Sequence, residues 1–395
     1  MKVLKIVAKG LPLFKEKLEI PFYATQRVDF DNFGNLYSLA PHLHLNCANA
    51  FVGINASGKT SILKVILFAL KLLRNEAINH IETKSILGDS PEVVFDLYFF
   101  SSKKEICKLT THIVSYKNDD DSIYYKIEEE SLYTKKCQSA LTKKNLFEFS
   151  DIVPHLNRAE IRNVNNFLLD DVSIIVAYNK ENQDTLDVFE TMFLTNENAL
   201  PLVQGDIPSE IIEFLDPSIE SISFEKGNAK TPVVILKFKN LEEIRIDKQK
   251  DLLNYLSSGT IKGITIFLSV LYVLSKGGYL IIDEIENHFN KEIVATVLRF
   301  FMDSKLNPNG AVLVYSSHYP ELLDEYKRSD SIFIMNNTNG IIAQNLSVLL
   351  KRNDIKKSDA FQSGHLGNTA PSYESYMKLK LFVKNFLGSK ESESL

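Results

Sequence analysis

The sequence predicts a mixed α/β protein with a parallel core sheet and a separate antiparallel meander. Short apolar strands alternate with helix-length segments between residues 279 and 345, as in a parallel sheet. Strand-like segments separated by charged turns fill residues 92–134. The segment TSILKVILFALKLLRN after Lys59 is apolar on most of its circumference, which is typical of a helix buried beside a sheet.

Composition indicates a soluble globular protein, with 45% hydrophobic and 24% charged residues among 395. The formal net charge of −5 argues against a generally DNA-coating surface, although a local basic face stays open. Three cysteines without a CxxC pair indicate a reduced compartment, so we expect a cytoplasmic protein. No apolar run reaches the ~18 residues of a membrane span, and ITIFLSVLYVL at 264–274 is predicted to be a buried helix.

Four segments follow one another along the chain. Residues 1–139 read as antiparallel strands, the short strand FVGI at 51–54, a buried helix and the meander. Residues 140–240 mix charged and apolar positions with weak helical periodicity in NLFEFSDIVPHL, TLDVFETMFL and EIIEFL, so a helical insertion or lid is predicted. Residues 241–350 hold the second half of the core, and 351–395 form a more basic tail.

The stretch GINASGKTS at 53–61 has two glycines that flank four residues, followed by a lysine and a threonine. It lies between an apolar strand and a strong helix, the context of a phosphate-binding loop. Backbone N–H groups and the helix N-terminus then face a polyanion such as ATP. The predicted nucleotide-binding residues are Gly53, Asn55, Ala56, Ser57, Gly58, Lys59, Thr60 and Ser61. Lys59 would reach the β- and γ-phosphates, and the Thr60 hydroxyl would ligate Mg²⁺.

The apolar strand YLII at 279–282 ends in two carboxylates, Asp283 and Glu284. Ligands sit at the carboxyl ends of strands in α/β sheets. We therefore expect Asp283 to hold Mg²⁺ and Glu284 to position and deprotonate the attacking water. The alternative, that both acids only favour the start of the next helix, is weaker once a phosphate loop is present.

Two further segments complete the pattern. LSSGT at 256–260 opens a buried helix, and Ser257, Ser258 and Gly259 form a second candidate anion site there. For an isolated SSGT, an ordinary helix N-cap is the simpler interpretation. His318 follows the strand AVLVY, and one of its ring nitrogens can contact the γ-phosphate or the water. We assign His318 a catalytic role together with Glu284.

These four pieces follow the chain order phosphate loop, LSSGT, the strand that ends in Asp283 and Glu284, and His318. In this order they resemble the ATP-binding cassette (ABC) superfamily over roughly residues 1–130 and 240–345, with LSSGT in the place of that superfamily's LSGGQ signature. Within it the chain is similar to the SMC, RecF and OLD branch, and to small bacterial AAA-type ATP-binding proteins of anti-phage (abortive infection) operons. The resemblance implies an ABC ATPase fold with an antiparallel meander subdomain, a mixed or parallel core sheet and a helical insertion. It also implies a homodimer or higher even oligomer that holds ATP between chains. Ser257 and Gly259 would contact the γ-phosphate bound by Lys59 of the other chain, and Glu286 to His288 would line the seam.

Three departures from the pattern matter. No glutamine lies between 61 and 137, where the family usually has a metal ligand, and the signature ends in Thr260 rather than glutamine. The sequence after His318 is too short for the Toprim nuclease domain of OLD proteins. Any toxic or nucleolytic activity is therefore expected in a separate effector protein from the same operon.

Two functions remain open on these grounds. The first is an ATPase sensor or scaffold that controls such an effector in anti-phage defence, and a tight complex with a neighbouring gene product would favour it. The alternative is a RecF-like DNA repair or recombination ATPase, which predicts ATP-dependent DNA binding with a steep salt dependence. A transporter cassette is disfavoured because no proline follows Glu284. Nucleic acid is not excluded as a partner, and no membrane is expected.

Overall fold

The computed structural model describes residues 1–29, 34–119, 121–137, 145–164, 168–194, 206–225, 233–287, 289–351, 355–367 and 373–392. The strands are β1 Lys2–Lys9, β2 Leu18–Pro21, β3 Leu36–Ala40, β4 Leu43–Asn46, β5 Ala48–Val52, β6 Glu92–Phe100, β7 Glu105–Lys117, β8 Ile123–Lys136, β9 Leu156–Asn157, β10 Val188–Glu190, β11 Ile219–Glu225, β12 Val233–Phe238, β13 Ile244–Ile246, β14 Tyr279–Ile282, β15 Val312–Ser317, β16 Ile332–Asn337 and β17 Ile341–Asn345. The α-helices are α1 Lys59–Leu73, α2 Arg158–Val164, α3 Ile175–Asn182, α4 Ser209–Leu215, α5 Ser258–Lys276, α6 Lys291–Met302, α7 Leu346–Leu349, α8 Lys357–Gln362 and α9 Tyr373–Ser392.

The core sheet has the strand order β10-β14-β15-β5-β16-β17. Its first five strands run parallel, and β17 pairs with β16 in the antiparallel direction. Strands β5, β14 and β15 are fully buried. Their sequences are mostly apolar, apart from Asn49 in β5 and Ser316 and Ser317 at the end of β15, as expected for strands of a parallel sheet. Because parallel strands end at the same edge, the residues that follow β5, β14, β15 and β16 meet there.

A second sheet is antiparallel, with the order β2-β1-β6-β7-β8-β9. Strands β6, β7 and β8 form the predicted meander, each paired with the next along the chain. Two smaller sheets, β11-β12-β13 and β3-β4, complete the strands of the described residues. The predicted fold class, α/β with an antiparallel meander and a mixed, mostly parallel core sheet, is confirmed.

Helix α1 is buried on nearly its whole circumference because it lies between the two large sheets. Its side chains share one hydrophobic core with β1, β6 and β7 and with alternate residues of the core sheet such as Ile281. The intervening residues, such as Leu280 and Ile282, face a second core that includes α5 and α6. This alternation is the two-residue period of a strand buried on both faces.

Helix α5 is the one described helix whose length and hydropathy would suit a membrane span. Half of that stretch is buried inside the protein, mainly through residues such as Ile264, Phe267 and Val270. A core helix passes the same test of length and composition, and α5 contributes to the second hydrophobic core as the sequence predicts.

The segment predicted as a helical insertion is only partly helical. EIIEFL lies in α4, but the helix predicted at TLDVFETMFL is wrong, because residues 188–190 form the edge strand β10 beside β14. Leu186 and Val188 are buried two residues apart, the period of a strand. NLFEFSDIVPHL, at 145–156, forms no α-helix. Its Phe147 and Phe149, two residues apart, both pack on Tyr98 of the meander. The domain boundaries at 139/140, 240/241 and 350/351 stay predictions.

Candidate functional site

The loop between β5 and α1 is a tight turn that leaves the helix N-terminus open. Ala56 and Gly58 have positive φ angles of 62° and 93°, and Gly58 is the N-cap of α1. A Cβ atom on Gly53 would lie 2.4 Å from Ser57 Oγ and 2.8 Å from the Met335 carbonyl oxygen, so only glycine fits. The first N–H groups of a helix have no partner within the helix, so those at the start of α1 can bind an anion.

Lys59 lies inside this loop, with only 6% of its surface exposed. Its Nζ donates to the carbonyl oxygens of Gly53 and Ile54, each at 3.0 Å, and lies 3.3 Å from His318 Nδ1. Burial lowers the pKa of Lys59, and the nearby carboxylates of Glu286, Glu284 and Asp283 oppose this shift. These contacts hold the ammonium group within the loop, in a position to bind a phosphate.

Asp283 connects the strand β14 to the phosphate loop. Its Oδ2 accepts a hydrogen bond of 2.7 Å from Thr60 Oγ1, the first-turn hydroxyl of α1. Its Oδ1 accepts a hydrogen bond from Ser316 Oγ on the neighbouring strand β15. The two predicted metal ligands, Thr60 and Asp283, are thus brought into contact although they are 223 residues apart in the sequence.

Glu284 has an unusual backbone conformation that Ser316 supports. Its φ angle is +49°, a region that residues other than glycine seldom adopt. The Glu284 N–H donates to Ser316 Oγ at 2.7 Å, while the same hydroxyl donates to Asp283. Ser316, fully buried at the end of β15, therefore fixes both carboxylate residues relative to each other.

The Glu284 carboxylate lies between two polar side chains. Its Oε1 is 3.7 Å from His318 Nε2, and its Oε2 accepts a 3.3 Å hydrogen bond from Asn287 Nδ2. The side chain is 46% exposed, so a water molecule can reach it. His318 therefore lies between Lys59 on one ring nitrogen and Glu284 on the other.

Glu286 holds His318 in place through the backbone. Its Oε1 accepts a hydrogen bond from the His318 N–H, while its Oε2 is buried without a hydrogen-bond partner among the described residues. The resemblance to the ABC superfamily implies that Glu286 to His288 line a dimer seam. This role stays a prediction, and His288 lies outside the described residues. In the structure Glu286 contributes to the same site as the phosphate loop.

An open cleft of about 290 Å³ joins the phosphate loop to Glu284 and His318, whereas Asp283 and Glu286 do not line it. The residues that line it are Leu13, Asn55, Ala56, Ser57, Gly58, Lys59, Thr60, Ser61, Glu284, His318, Asn337 and Ile341. Asn337 was missed from the sequence; its Nδ2 donates to the Ala56 carbonyl oxygen at 3.1 Å and so braces the loop. Asn337 is a polar residue at the end of the apolar strand β16, which lies beside β5, so its position on the same sheet edge could have identified it.

The side chains at this edge suit a nucleotide accompanied by a divalent cation. Three carboxylates, Asp283, Glu284 and Glu286, act on the single ammonium of Lys59, so a triphosphate alone would meet net negative charge. Within the described residues, no group of three or more His, Cys, Asp or Glu side chains could hold a metal by itself. Mg²⁺ commonly takes one or two protein oxygens and completes its shell with phosphates and water, a pattern that Thr60 and Asp283 fit.

The signature turn lies at the start of α5, apart from this cleft. Ser257 is the N-cap; its Oγ accepts a 3.0 Å hydrogen bond from the Thr260 N–H and is 2.8 Å from Thr260 Oγ1. Thr260, the departure from the expected glutamine, therefore reinforces the cap. Ser257 is exposed, Ser258 and Gly259 are half-exposed, and none of the three lines the phosphate cleft of its own chain.

A smaller cavity of about 170 Å³ lies on the other side of β14. Asp283 and Glu284 line it together with Thr191, which follows the edge strand β10. No glutamine lies between 61 and 137. The strand beside β14 is β10, so residues 191–194 reach this edge of the sheet. The role of the missing glutamine stays unassigned.

Comparison with known proteins shows that part of this chain is similar to a known protein family. Residues 138–324 match the family described as an AAA domain, putative AbiEii toxin, Type IV TA system. The matched stretch contains the signature turn, Asp283, Glu284 and His318, and it leaves out the phosphate loop. The predicted resemblance to ATPases of this kind is confirmed. No curated protein sequence gives a significant match.

Two solved structures show distant similarity. One is the recombination mediator protein RecF bound to ATP, with 10% identity, a TM-score of 0.38, and coverage of 87% of this chain and 97% of that one. The other is a dimeric post-hydrolysis state of an ATP-binding cassette protein bound to ADP and phosphate, with 10% identity, a TM-score of 0.28, and coverage of 86% and 98%. At these TM-scores neither similarity bears on function.

Proposed function

Because residues 138–324 match an AAA-type ATPase family and the chain resembles ABC-type ATPases, we propose that it binds ATP with Mg²⁺ and hydrolyses it between two copies of itself. The observation that carries this proposal is the convergence of two distant motifs. Thr60 of the phosphate loop contacts Asp283 at the end of β14, and Lys59 and Glu284 both approach His318.

Each residue of the cleft has a distinct task in the proposed reaction. Lys59 and the N–H groups at the start of α1 bind the phosphates. Thr60 and Asp283 would hold Mg²⁺, which would neutralise charge on the phosphates. Glu284 accepts the proton of the attacking water, since its carboxylate is half-exposed at the cleft. His318 donates to the γ-phosphate or to the water from its place between Lys59 and Glu284.

Ser316 is expected to position both carboxylates without touching the substrate. In Ser316→Ala, Asp283 loses a hydroxyl donor and the Glu284 N–H loses its acceptor. We expect turnover to fall by about 10- to 100-fold, and the Mg²⁺ requirement to rise, with ATP affinity nearly unchanged. Initial rates across a Mg²⁺ titration and equilibrium nucleotide binding measure the two effects separately.

The neighbouring variant Ser317→Ala is the matched control. Ser317 is equally buried, but its hydroxyl accepts from the Tyr319 N–H at 2.9 Å and has no recorded bond to either carboxylate. Equal losses in the two variants would indicate general damage to β15 and would contradict the positioning role.

The sharing of ATP between chains is supported by the place of the signature turn. Ser257 is exposed and caps α5, whose first N–H groups have no partner within the helix, yet the turn does not line the cleft of its own chain. Presented to a second chain, these donors would complete the phosphate site there. The signature of each chain would then serve the nucleotide bound by the other.

A mixed dimer tests this arrangement. Lys59→Ala removes the phosphate-binding lysine of one chain, and Ser257→Arg blocks the signature turn of the other. In a homodimer of either variant both composite sites carry the defect, so each homodimer is expected to be inactive. A heterodimer of the two retains one intact composite site, and a random 1:1 mixture should recover up to about a quarter of wild-type ATPase activity. Two affinity tags isolate the heterodimer for the measurement.

Ser275→Arg serves as the control for an added arginine, because Ser275 is exposed near the far end of α5. It should leave activity intact. If the purified heterodimer is no more active than its parents, or if Ser257→Arg alone is fully active, the shared site is wrong.

We place this ATPase in anti-phage defence, as a sensor or scaffold that controls a separate effector. The matched family is described as a putative toxin of a type IV toxin–antitoxin system, which supports a role beside a second protein. In such a system ATP-driven association of two chains would be transmitted to the effector. A chain that stays without a protein partner and unaltered in phage-infected cells would contradict this role.

A further inference from the structure

The Lys59 ammonium has a protein acceptor for each of its three N–H bonds. Its Nζ lies 3.0 Å from the carbonyl oxygens of Gly53 and Ile54, and 3.3 Å from Nδ1 of His318. A lysine ammonium has three donors in all. A phosphate oxygen that forms a hydrogen bond with Lys59 therefore displaces one of these three acceptors.

The same contact determines which nitrogen of the His318 ring carries the proton. An ammonium group has no lone pair, so Nδ1 accepts the hydrogen bond from Lys59 and carries no proton. The hydrogen-bond network thus assigns the ring proton to Nε2, which lies 3.7 Å from Glu284 Oε1. The ring therefore presents an acceptor to Lys59 and a donor to the side where Glu284 lies.

Of the three acceptors, the histidine ring is the one that can move. Gly53 is packed so closely that its position leaves no room for a Cβ atom. The Ile54 carbonyl oxygen also accepts from the Ser57 N–H at 3.3 Å, within the turn of the loop. The His318 side chain is 30% exposed, and its Nε2 makes no hydrogen bond to a described residue. The ring can turn away from Lys59 without losing another such bond.

We propose that His318 sets the nucleotide affinity of the site, because its Nδ1 competes with the phosphates for the Lys59 ammonium. Nucleotide binding then requires the ring to turn away, and the ring binds the ammonium again when the phosphates leave. His318 thereby weakens ADP binding and favours ADP release, a role separate from the donor role of Nε2. This competition rests on the proposed ATP binding, and it occurs within one chain, so it does not depend on the sharing of ATP between chains.

Three substitutions of His318 separate the roles of its two ring nitrogens. His318→Ala and His318→Phe remove both nitrogens, whereas His318→Asn can place its amide oxygen where Nδ1 lies and has no group in the place of Nε2. We expect ADP with Mg²⁺ to bind His318→Ala and His318→Phe about 3- to 10-fold more tightly than wild type, in line with one long hydrogen bond. His318→Asn should bind ADP with wild-type affinity. ADP is the probe because it lacks the γ-phosphate that Nε2 is proposed to contact, and ATP turnover should fall in all three variants.

Isothermal titration calorimetry measures the ADP affinity, and circular dichroism establishes that the variants are folded. His42→Ala is the control for the loss of an imidazole, because His42 is exposed in the turn between β3 and β4, and it should bind ADP as wild type does. Unchanged or weaker ADP binding in both His318→Ala and His318→Phe would overturn the proposal, as would equal tightening in His318→Asn. If neither the wild type nor any variant binds ADP, the proposed nucleotide site itself is wrong, and the competition falls with it.

Discussion

Lys59→Ala is expected to abolish productive ATP binding and with it all ATPase activity. Among the described residues that line the cleft, Lys59 is the one lysine or arginine, and three carboxylates lie near it. Without its ammonium, the phosphates would face those carboxylates with only backbone N–H groups as donors. Each charge-assisted hydrogen bond contributes about 1.5–3 kcal/mol, so we expect ATP affinity to fall about 100-fold or more.

The loop itself should also loosen in this variant, because Lys59 ties the carbonyl groups of Gly53 and Ile54 together. Equilibrium titration with a fluorescent ATP analogue measures the loss. Lys64→Ala is the matched control, since Lys64 lies on the same helix and outside the cleft. ATP affinity within about threefold of wild type in Lys59→Ala would remove the phosphate-binding role from this loop.

The phosphate loop and the ends of β14 and β15 could be predicted because their signals are local. Each is a short apolar strand followed at once by glycine, carboxylate or hydroxyl residues, and parallel strands bring such ends to one edge. The structure adds the distances: Thr60 touches Asp283, and Lys59 approaches His318. The roles assigned to these residues remain predictions for the mutants to test.

The contacts that the sequence did not predict depend on pairing between distant segments. Strand β10 has three residues and exists because it pairs with β14, about ninety residues further along the chain, so its own sequence carried only a weak signal. Ser316 bridges Asp283 and Glu284 only because β15 lies beside β14 in one particular register. The register between two strands is set by the packing of the whole sheet, so a local sequence pattern does not predict it.

The tail shows the same limit at a larger scale. Between 351 and 390 the basic residues predict either nucleic-acid binding or a solvated helix and turn. The structure forms the helix α9 in this tail, and its side chains are exposed as far as residue 387. It makes no extensive contact with another described element.

Glu284→Gln is expected to retain ATP binding and to lose hydrolysis. Glutamine has the shape of glutamate and can keep the contact with Asn287, but its amide cannot take a proton from water. Loss of a general base lowers turnover by about 100- to 10,000-fold, so ATP should persist in the site and hold two chains together. Single-turnover hydrolysis and the solution mass with ATP measure both consequences in one preparation.

Glu292→Gln provides the comparison, because Glu292 is an exposed carboxylate at the start of α6 that pairs with Arg299 away from the cleft. It should hydrolyse ATP at the wild-type rate. If Glu284→Gln also turns over normally, the base must be another group, and His318, which lies 3.7 Å from the same carboxylate, is the next candidate. In that case ATP turnover should become sensitive to His318→Ala alone, since Lys59 and Asp283 would still bind the nucleotide and the metal.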